Sequence, residues 1–395
     1  MLTYVGLPYQ TYQLSHSSFL VGLLSLVEVL PLLVVGVVGG ALADARDRRR
    51  IVIVANVGLT LCAAALVVNA LAPRPQIAVL FVVAFGSGVF GALERPALTA
   101  LVPRVVAAAD IPAATALNSI QSAAGQVAGP AVAGVLIGAI GLSGLYALDV
   151  ASSLIGLVAL AMLAAVPPPV DAERVTLARI ADGLRYARSR PDLLGTYFID
   201  MTAMFFGIPE ALFPQLASHL GGAPVLGVLF SAEAVGSFLV SITSGWSAGL
   251  HRRGRAIAIA ASGWGIALIG LGFSRDLAEA CGALVVAGAL DMVSGIMRQT
   301  VWNESVPDGL RGRLAGLELV SFSSGPGLGN LESGVAESLF GLRTAIVAGG
   351  VACVAATAAL ALALPALWRY DARRLRSSAD VGPEAGGPPP GPLES

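Results

Sequence analysis

The sequence predicts an all-α membrane protein of twelve transmembrane helices, built as a 6+6 pseudo-repeat with a truncated first helix. Three observations predict it. Hydrophobic residues make up 56% of the 395 and charged residues only 12%, with a mean hydropathy of +0.79. A soluble domain carries ~25% charged residues, and surface-to-volume scaling leaves no core able to hide such an apolar excess. Apolar runs of about the ~20 residues needed to cross hydrocarbon recur along the chain, divided by short polar joints. Landmarks of the first half return in the second. Together these exclude soluble enzymes, nucleic-acid binders and secreted disulfide scaffolds.

The first element, from Met1 to Gln13, has the length of half a span and leads into a turn at Ser15-His16-Ser17-Ser18. It reads as the outer half of a truncated helix 1. Helices 2 to 6 are expected at 18–42, 51–71, 77–102, 114–140 and 143–166. Helices 7 to 12 are expected at 193–216, 224–249, 256–274, 279–302, 313–338 and 344–368. Residues 1–166 would form one six-helix bundle and 193–368 the other. Between them, 167–192 opens on Pro167-Pro168-Pro169, and Ile180, Leu184 and Tyr186 suggest a short helix lying at the membrane surface. The stretch 369–395, rich in Pro and Gly, reads as a disordered cytoplasmic tail.

Arginine sets the orientation. All 24 cationic residues are Arg, a bias that reads as genomic composition rather than function. Nineteen lie in the joints near 44–50, 103–113, 167–192, 251–255 and 303–313 or after 368, against three, Arg74, Arg275 and Arg343, on the other side. Positive joints stay inside, so those joints and the C-terminus are expected to be cytoplasmic and the chain a multi-pass protein of the cell membrane. The N-terminus carries no cleavable signal. Net charge of −1 gives no attraction to nucleic acid. Cys62, Cys281 and Cys353 each sit in an apolar run, and His16, His219 and His251 fall in loops, so neither a disulfide framework nor a metal site is expected.

The halves correspond at three points in the same order. Gly40 to Arg50 after helix 2 matches Gly245 to Arg255 after helix 8. Arg95 ahead of Val102-Pro103 matches Arg298 ahead of Val306-Pro307, and Gly129-Pro130 in helix 5 matches Gly325-Pro326 in helix 11. A parallel repeat is the plan of a transporter whose halves rock about a central site.

These residues resemble the major facilitator superfamily. Gly40-x-Leu42-Ala43-Asp44-x-x-Asp47-Arg48-Arg49 resembles its loop 2–3 signature, with Asp47 where the consensus has Gly. Gly125-x-x-x-Gly129-Pro130-x-x-x-Gly134 resembles the helix 5 signature associated with exporters. Similarity to the enterobactin-exporter-like group of drug and siderophore exporters runs on through Arg95-Pro96, Arg311-Gly312-Arg313 and Gly329-Asn330-Leu331-Glu332-Ser333-Gly334. No Arg occupies the first half of helix 4, where the superfamily's proton-linked signature has one. The resemblance implies that Asp44 meets the start of helix 11 and that Arg48 and Arg49 pair across a cytoplasmic gate.

Each motif has a plainer reading beside the functional one. Loop 2–3 could be only a topogenic Arg cluster, although that would not call for Gly40 and Asp44 at their spacing. An acid beside a helix N-terminus meets partial positive charge. The Gly125, Gly129, Pro130 and Gly134 stripe could be ordinary close packing. Glu28, Glu94, Asp149, Asp200, Glu210, Glu233, Asp291, Glu318 and Glu332 lie within expected helices. Each costs about 2.5–3.5 kcal/mol at mid-bilayer on insertion scales, so most must face a cavity, a partner or an interface. Asp291 is nearest the midplane, with Arg298 two turns on along the same face. Asp291, then Glu233, are the candidates for proton coupling, with a fixed Asp291–Arg298 pair as the alternative. Glu94, Arg95, Asp200, Arg311 and Arg313 read as gate or helix-end charges. Trp264, Trp302, Phe205, Phe206 and Tyr146 could line a cavity or simply pack.

The expectation is a proton-coupled exporter of small amphipathic compounds, drugs or a siderophore, acting as a monomer with no cofactor and no metal. An importer of a small solute is the alternative within the class, and an intramembrane enzyme the alternative outside it. Convergent His, Cys or metal ligands at membrane depth, which an enzyme would need, are not apparent, and no Walker-type phosphate loop is present.

Overall fold

In lipid every backbone N–H and C=O must find a partner inside the chain, which leaves a sequence this apolar the choice of helices. The computed structural model describes residues 2–45, 47–163, 185, 190–306, 308–368 and 370, and among these no strand occurs. The helices are α1 (Leu2–Ser15), α2 (Ser18–Ala45), α3 (Arg48–Leu71), α4 (Ile77–Val105) and α5 (Ile111–Met162). There follow α6 (Pro191–Gly207), α7 (Phe213–Leu220), α8 (Ala223–Ile242), α9 (Arg253–Phe273), α10 (Leu277–Ser305), α11 (Asp308–Phe340), α12 (Leu342–Ala363) and the short α13 (Pro365–Trp368). Seven of the described helices are long and apolar enough to cross a membrane by themselves.

Two helices differ from the sequence expectation, whereas the break expected between helices 5 and 6 is found: α5 reverses at Gly141, with φ of 71°. A side chain is disfavoured in that left-handed conformation, and glycine is not. Helix 7 was expected to run through 216, but α6 stops at Gly207 and a 3-10 turn, Glu210–Leu212, precedes α7. Pro209 and Pro214 lack the N–H that a continuous helix would use. Helix 8 was expected to reach 249, but α8 ends at Ile242 and a 3-10 stretch, Ser244–Gly249, follows. Thr243 Oγ1 donates back to Leu239 O at 2.8 Å, a bond that competes with the regular ladder. The surface helix expected within 167–192 and nearly all of 369–395 fall outside the described residues.

The helices pack in two groups, α1–α5 and α6–α13, which meet chiefly where α2 lies along α11 and α5 along α8. Within the second group α9 packs on α12 and α10, and α8 on α10. The His16 end holds the α1–α2 turn, the α5 reversal and Gly221-Gly222; the Asp47 end holds the start of α3 and the end of α10.

Candidate functional site

Charge deep within the second group is organised around one guanidinium. Arg298 of α10 pairs with Asp200 of α6 and lies 4.0 Å from Asp291, seven residues back on its own helix. The Asp291 side chain remains 34% exposed, against 17% for Arg298, so one carboxylate holds the arginine while the other reaches open space. Asp200, read from sequence as a helix-end charge, is thus brought to the residue expected to pair with Asp291. Glu233 of α8 is within electrostatic reach of both Asp291 and Glu210. Gly288 lets α10 approach so closely that a Cβ there would strike the Glu233 carbonyl. Ser237 Oγ donates to Gly288 O at 2.9 Å across the same contact.

The two groups are closed against each other at the His16 end. Tyr4 Oη donates to Glu210 Oε2 at 2.9 Å, and Ser18 Oγ to Gln215 Oε1 at 2.9 Å. The Gly134 Cβ position lies against the Gly227 backbone, that of Gly227 against the Pro130 carbonyl, and that of Gly22 against the Asn330 carbonyl. Asn330 also accepts the Ala211 N–H at 2.9 Å, which supplies a partner to a donor freed by the break after α6. Helices can approach to this degree only where side chains are absent. Of the helix 5 stripe, Pro130 and Gly134 are buried at this seam, whereas Gly125 and Gly129 are half-buried.

At the Asp47 end, Asp47 caps α3, its carboxylate accepting the Arg49 N–H at 3.0 Å and lying 3.8 Å from Arg50. Such caps satisfy donors that a helix start leaves free. Arg49 donates to Leu160 O at 3.1 Å and Ala161 O at 2.6 Å, tying α3 to the end of α5. Gly40 and Asp44 lie in the last turns of α2 and Arg48 in the first turn of α3, and their side chains are outside those described. The same holds for Arg311, Arg313 and Glu318 in α11. Glu94 accepts from Asn56 Nδ2 at 2.6 Å, while the exposed Arg95 lies within electrostatic reach of Glu28. In the second group Arg253, buried, pairs with Glu304, which also accepts from Tyr370 Oη at 3.4 Å.

The aromatic candidates divide. Tyr146 is fully buried and donates to Gln10 Oε1 at 3.0 Å, holding α1 on α5. Trp264 is buried beside Gly207, and Trp302 Nε1 donates to Tyr197 Oη at 3.1 Å. These three pack. Among the described residues no group of three or more His, Cys, Asp or Glu could hold a metal ion.

Two tightly apposed helix groups, with charge held deep within the second, suit a transporter, and the sequence comparisons agree. A family model described as transmembrane secretion effector, within the major facilitator superfamily, matches residues 2–384. The chain belongs to this family. It is 28% identical over 328 residues to the enterobactin exporter EntS of Shigella boydii serotype 4, across 82% of this chain and 78% of that one. It is 26% identical over 348 residues to the enterobactin exporter EntS of Citrobacter koseri, across 87% and 83%. A POT family transporter crystallised with 5-aminolevulinic acid superposes with a TM-score of 0.71 at 12% identity, covering 93% and 94% of the two chains. A bacterial homolog of the human lysosomal transporter Spinster, in an inward-facing and unoccupied conformation, gives 0.67 at 17%, covering 95% of each. This major facilitator protein is therefore a multi-pass membrane transporter and not an enzyme. Sequence reasoning missed Tyr4, Gln215 and Gly227, and it named Asn330 only within the Gly329 to Gly334 run, without a role. The only signal available was a break-prone Pro209 opposite a small-residue run, and it pointed to no partner.

Proposed function

We propose that this transporter exports a small amphipathic, siderophore-class compound from the cytoplasm by alternating access, with protons as the coupling ion. The observation that carries it is the seam between the groups: sealed by backbone at the His16 end, with the partly exposed Asp291 carboxylate behind the seal. The Arg bias assigns the His16 end to the outside, so the conformation is inward-facing, the state named for the Spinster homolog. The enterobactin exporters supply the substrate class. The halves would rock as bundles of residues 1–166 and 193–368, with 167–192 between them, around the Asp200–Arg298–Asp291 cluster.

Asp291 is the carrier this scheme needs, since it is the carboxylate of the cluster that reaches open space. Proton entry and substrate exit couple if Asp291 is exposed to one side at a time. Asp291→Asn should abolish proton-driven efflux in everted vesicles and leave counterflow exchange largely intact. Full proton-driven efflux by Asp291→Asn clears that residue, and the same outcome with Glu233→Gln leaves the scheme without a carrier.

A further inference from the structure

The break after α6 takes helical donors away from main-chain oxygens. Pro209 has no N–H to offer the Phe205 carbonyl four residues back. The Ala211 N–H, which would serve Gly207, goes instead to Asn330 Oδ1 at 2.9 Å, and that of Leu212 goes to Pro209 O at 2.8 Å. The last turn of α6 therefore ends in carbonyls short of their helical partners, at the negative end of the helix dipole. Inside a bilayer no bulk water relieves them.

This helix end borders a cavity of about 10 Å³, roughly the room one water-sized particle needs. Phe206 and Gly207 line it from α6, Glu332 and Ser333 from α11, with Leu268 of α9 as an apolar wall. The Phe206 carbonyl is turned toward α12, where it lies against the Cβ position of Gly349, another lining residue. Glu332 is half-buried and makes no ion pair among the described residues. At the C-terminal end of α6 a negative side chain meets negative partial charge, which repels it. Ser333 is buried, and its Oγ donates to Asn330 O at 3.1 Å, so the oxygen lone pairs remain available.

A carboxylate, a hydroxyl oxygen and helix-end carbonyls thus surround a space of ionic size. Hard oxygen donors select hard cations. One carboxylate balances one positive charge, and the described residues offer no cluster of three acids for a divalent ion. A sodium ion, smaller than a water molecule, fits this space, and an amphipathic organic compound does not. Transport helices interrupted at membrane depth use unwound carbonyls and half-helix C-termini in this way.

We propose that the end of α6, Glu332 and Ser333 form a sodium site that braces the interrupted helix. The ion ties α6 to α11 beside Asn330, and so steadies the turn that carries Glu210 to Tyr4. The site is independent of which compound is exported and of the proton that drives export.

The test uses the purified full chain in detergent, with choline chloride holding ionic strength constant. Binding of radioactive sodium should saturate and be displaced by unlabelled NaCl far better than by KCl. The melting temperature should rise over the same range of NaCl concentration. Glu332→Gln should weaken sodium binding at least about tenfold and abolish the thermal shift. Asp291→Asn should bind sodium as the parent does. No saturable sodium binding, or unchanged affinity in a Glu332→Gln protein that elutes as a monodisperse peak, overturns the proposal. Should that variant fail to fold, Ser333→Ala carries the test, with an expected loss of about threefold or more; unchanged affinity there overturns it too. Binding lost in Asp291→Asn but kept in Glu332→Gln places the ion beside Arg298 instead and rejects this site. A stabilisation that tracks pH and ignores sodium assigns the positive charge to a proton on Glu332, and likewise rejects it.

Discussion

The two ends of the seam between the helix groups are built differently. Next to His16, backbone meets backbone: Gly134 on Gly227, Gly22 on Asn330, Gly334 on Ser18. Toward Asp47, the described contacts bind helices of the same group, as Arg49 binds the end of α5 and Arg253 binds Glu304. One helix shows both regimes. Along α5, residues 111–129 are exposed or half-buried, whereas Pro130, Ala133, Gly134 and Ile137 are buried. A seam closed by main chain is dense and leaves little to rearrange, because close-packed surfaces give way as a whole rather than by degrees. A seam that could be closed by charged side chains opens at the cost of ion pairs near water, which is small. The difference teaches that the His16 end is held by shape, whereas the Asp47 end would, in the gate we propose, close by charge; a two-state rocking motion needs only their energies to be close.

The largest expected effect tests whether the deep cluster belongs to either end. Asp200→Ala leaves Arg298 with a weaker, longer contact to Asp291 and should cost about 3–5 kcal/mol, as loss of one partner of a buried pair does. Thermal unfolding in detergent measures it. A melting temperature unchanged from the parent would show that the pair contributes nothing and that the cluster is only a lining. Next in size, Gly227→Leu should wedge the His16 end apart. Overpacking costs about 1–3 kcal/mol, enough to move a two-state equilibrium by about five- to 150-fold. Spin labels placed on α5 and α8 at that end should separate and efflux should fall; distances that stay put would mean the glycine contact is incidental. The smallest effect belongs to the charged end. Asp44→Asn should remove a charge near a helix N-terminus worth about 0.3–1 kcal/mol. The equilibrium should then shift toward the state open at the Asp47 end, and crosslinking across that end that reports no change would refute the gate assigned to loop 2–3.

Much of the fold could be read from residue order, and for a simple reason. Lipid forces helices, hydrophobic length marks each one, and Gly and Pro mark where they stop, although Pro209 and Thr243 ended α6 and α8 earlier than the apolar pattern suggested. The intramembrane acids were equally visible, because ionisable groups at that depth are too costly to be accidental. Their partners were not. Asp200 and Arg298 lie on different helices, and Tyr4 and Glu210 are 206 residues apart, so no spacing rule relates them.

What the sequence determined by itself was therefore the solvent, the helical class and the set of candidate charged residues. These follow from transfer free energies and local backbone rules, each a property of a short segment. What only the tertiary structure decided was the pairing: which carboxylate holds Arg298, which glycine receives Gly134, and which end of the seam is shut. Such choices depend on how whole helices tilt and slide against one another. In a membrane that is settled by the fit of small residues at their contacts rather than by apolar burial, since lipid is as apolar as the helices themselves.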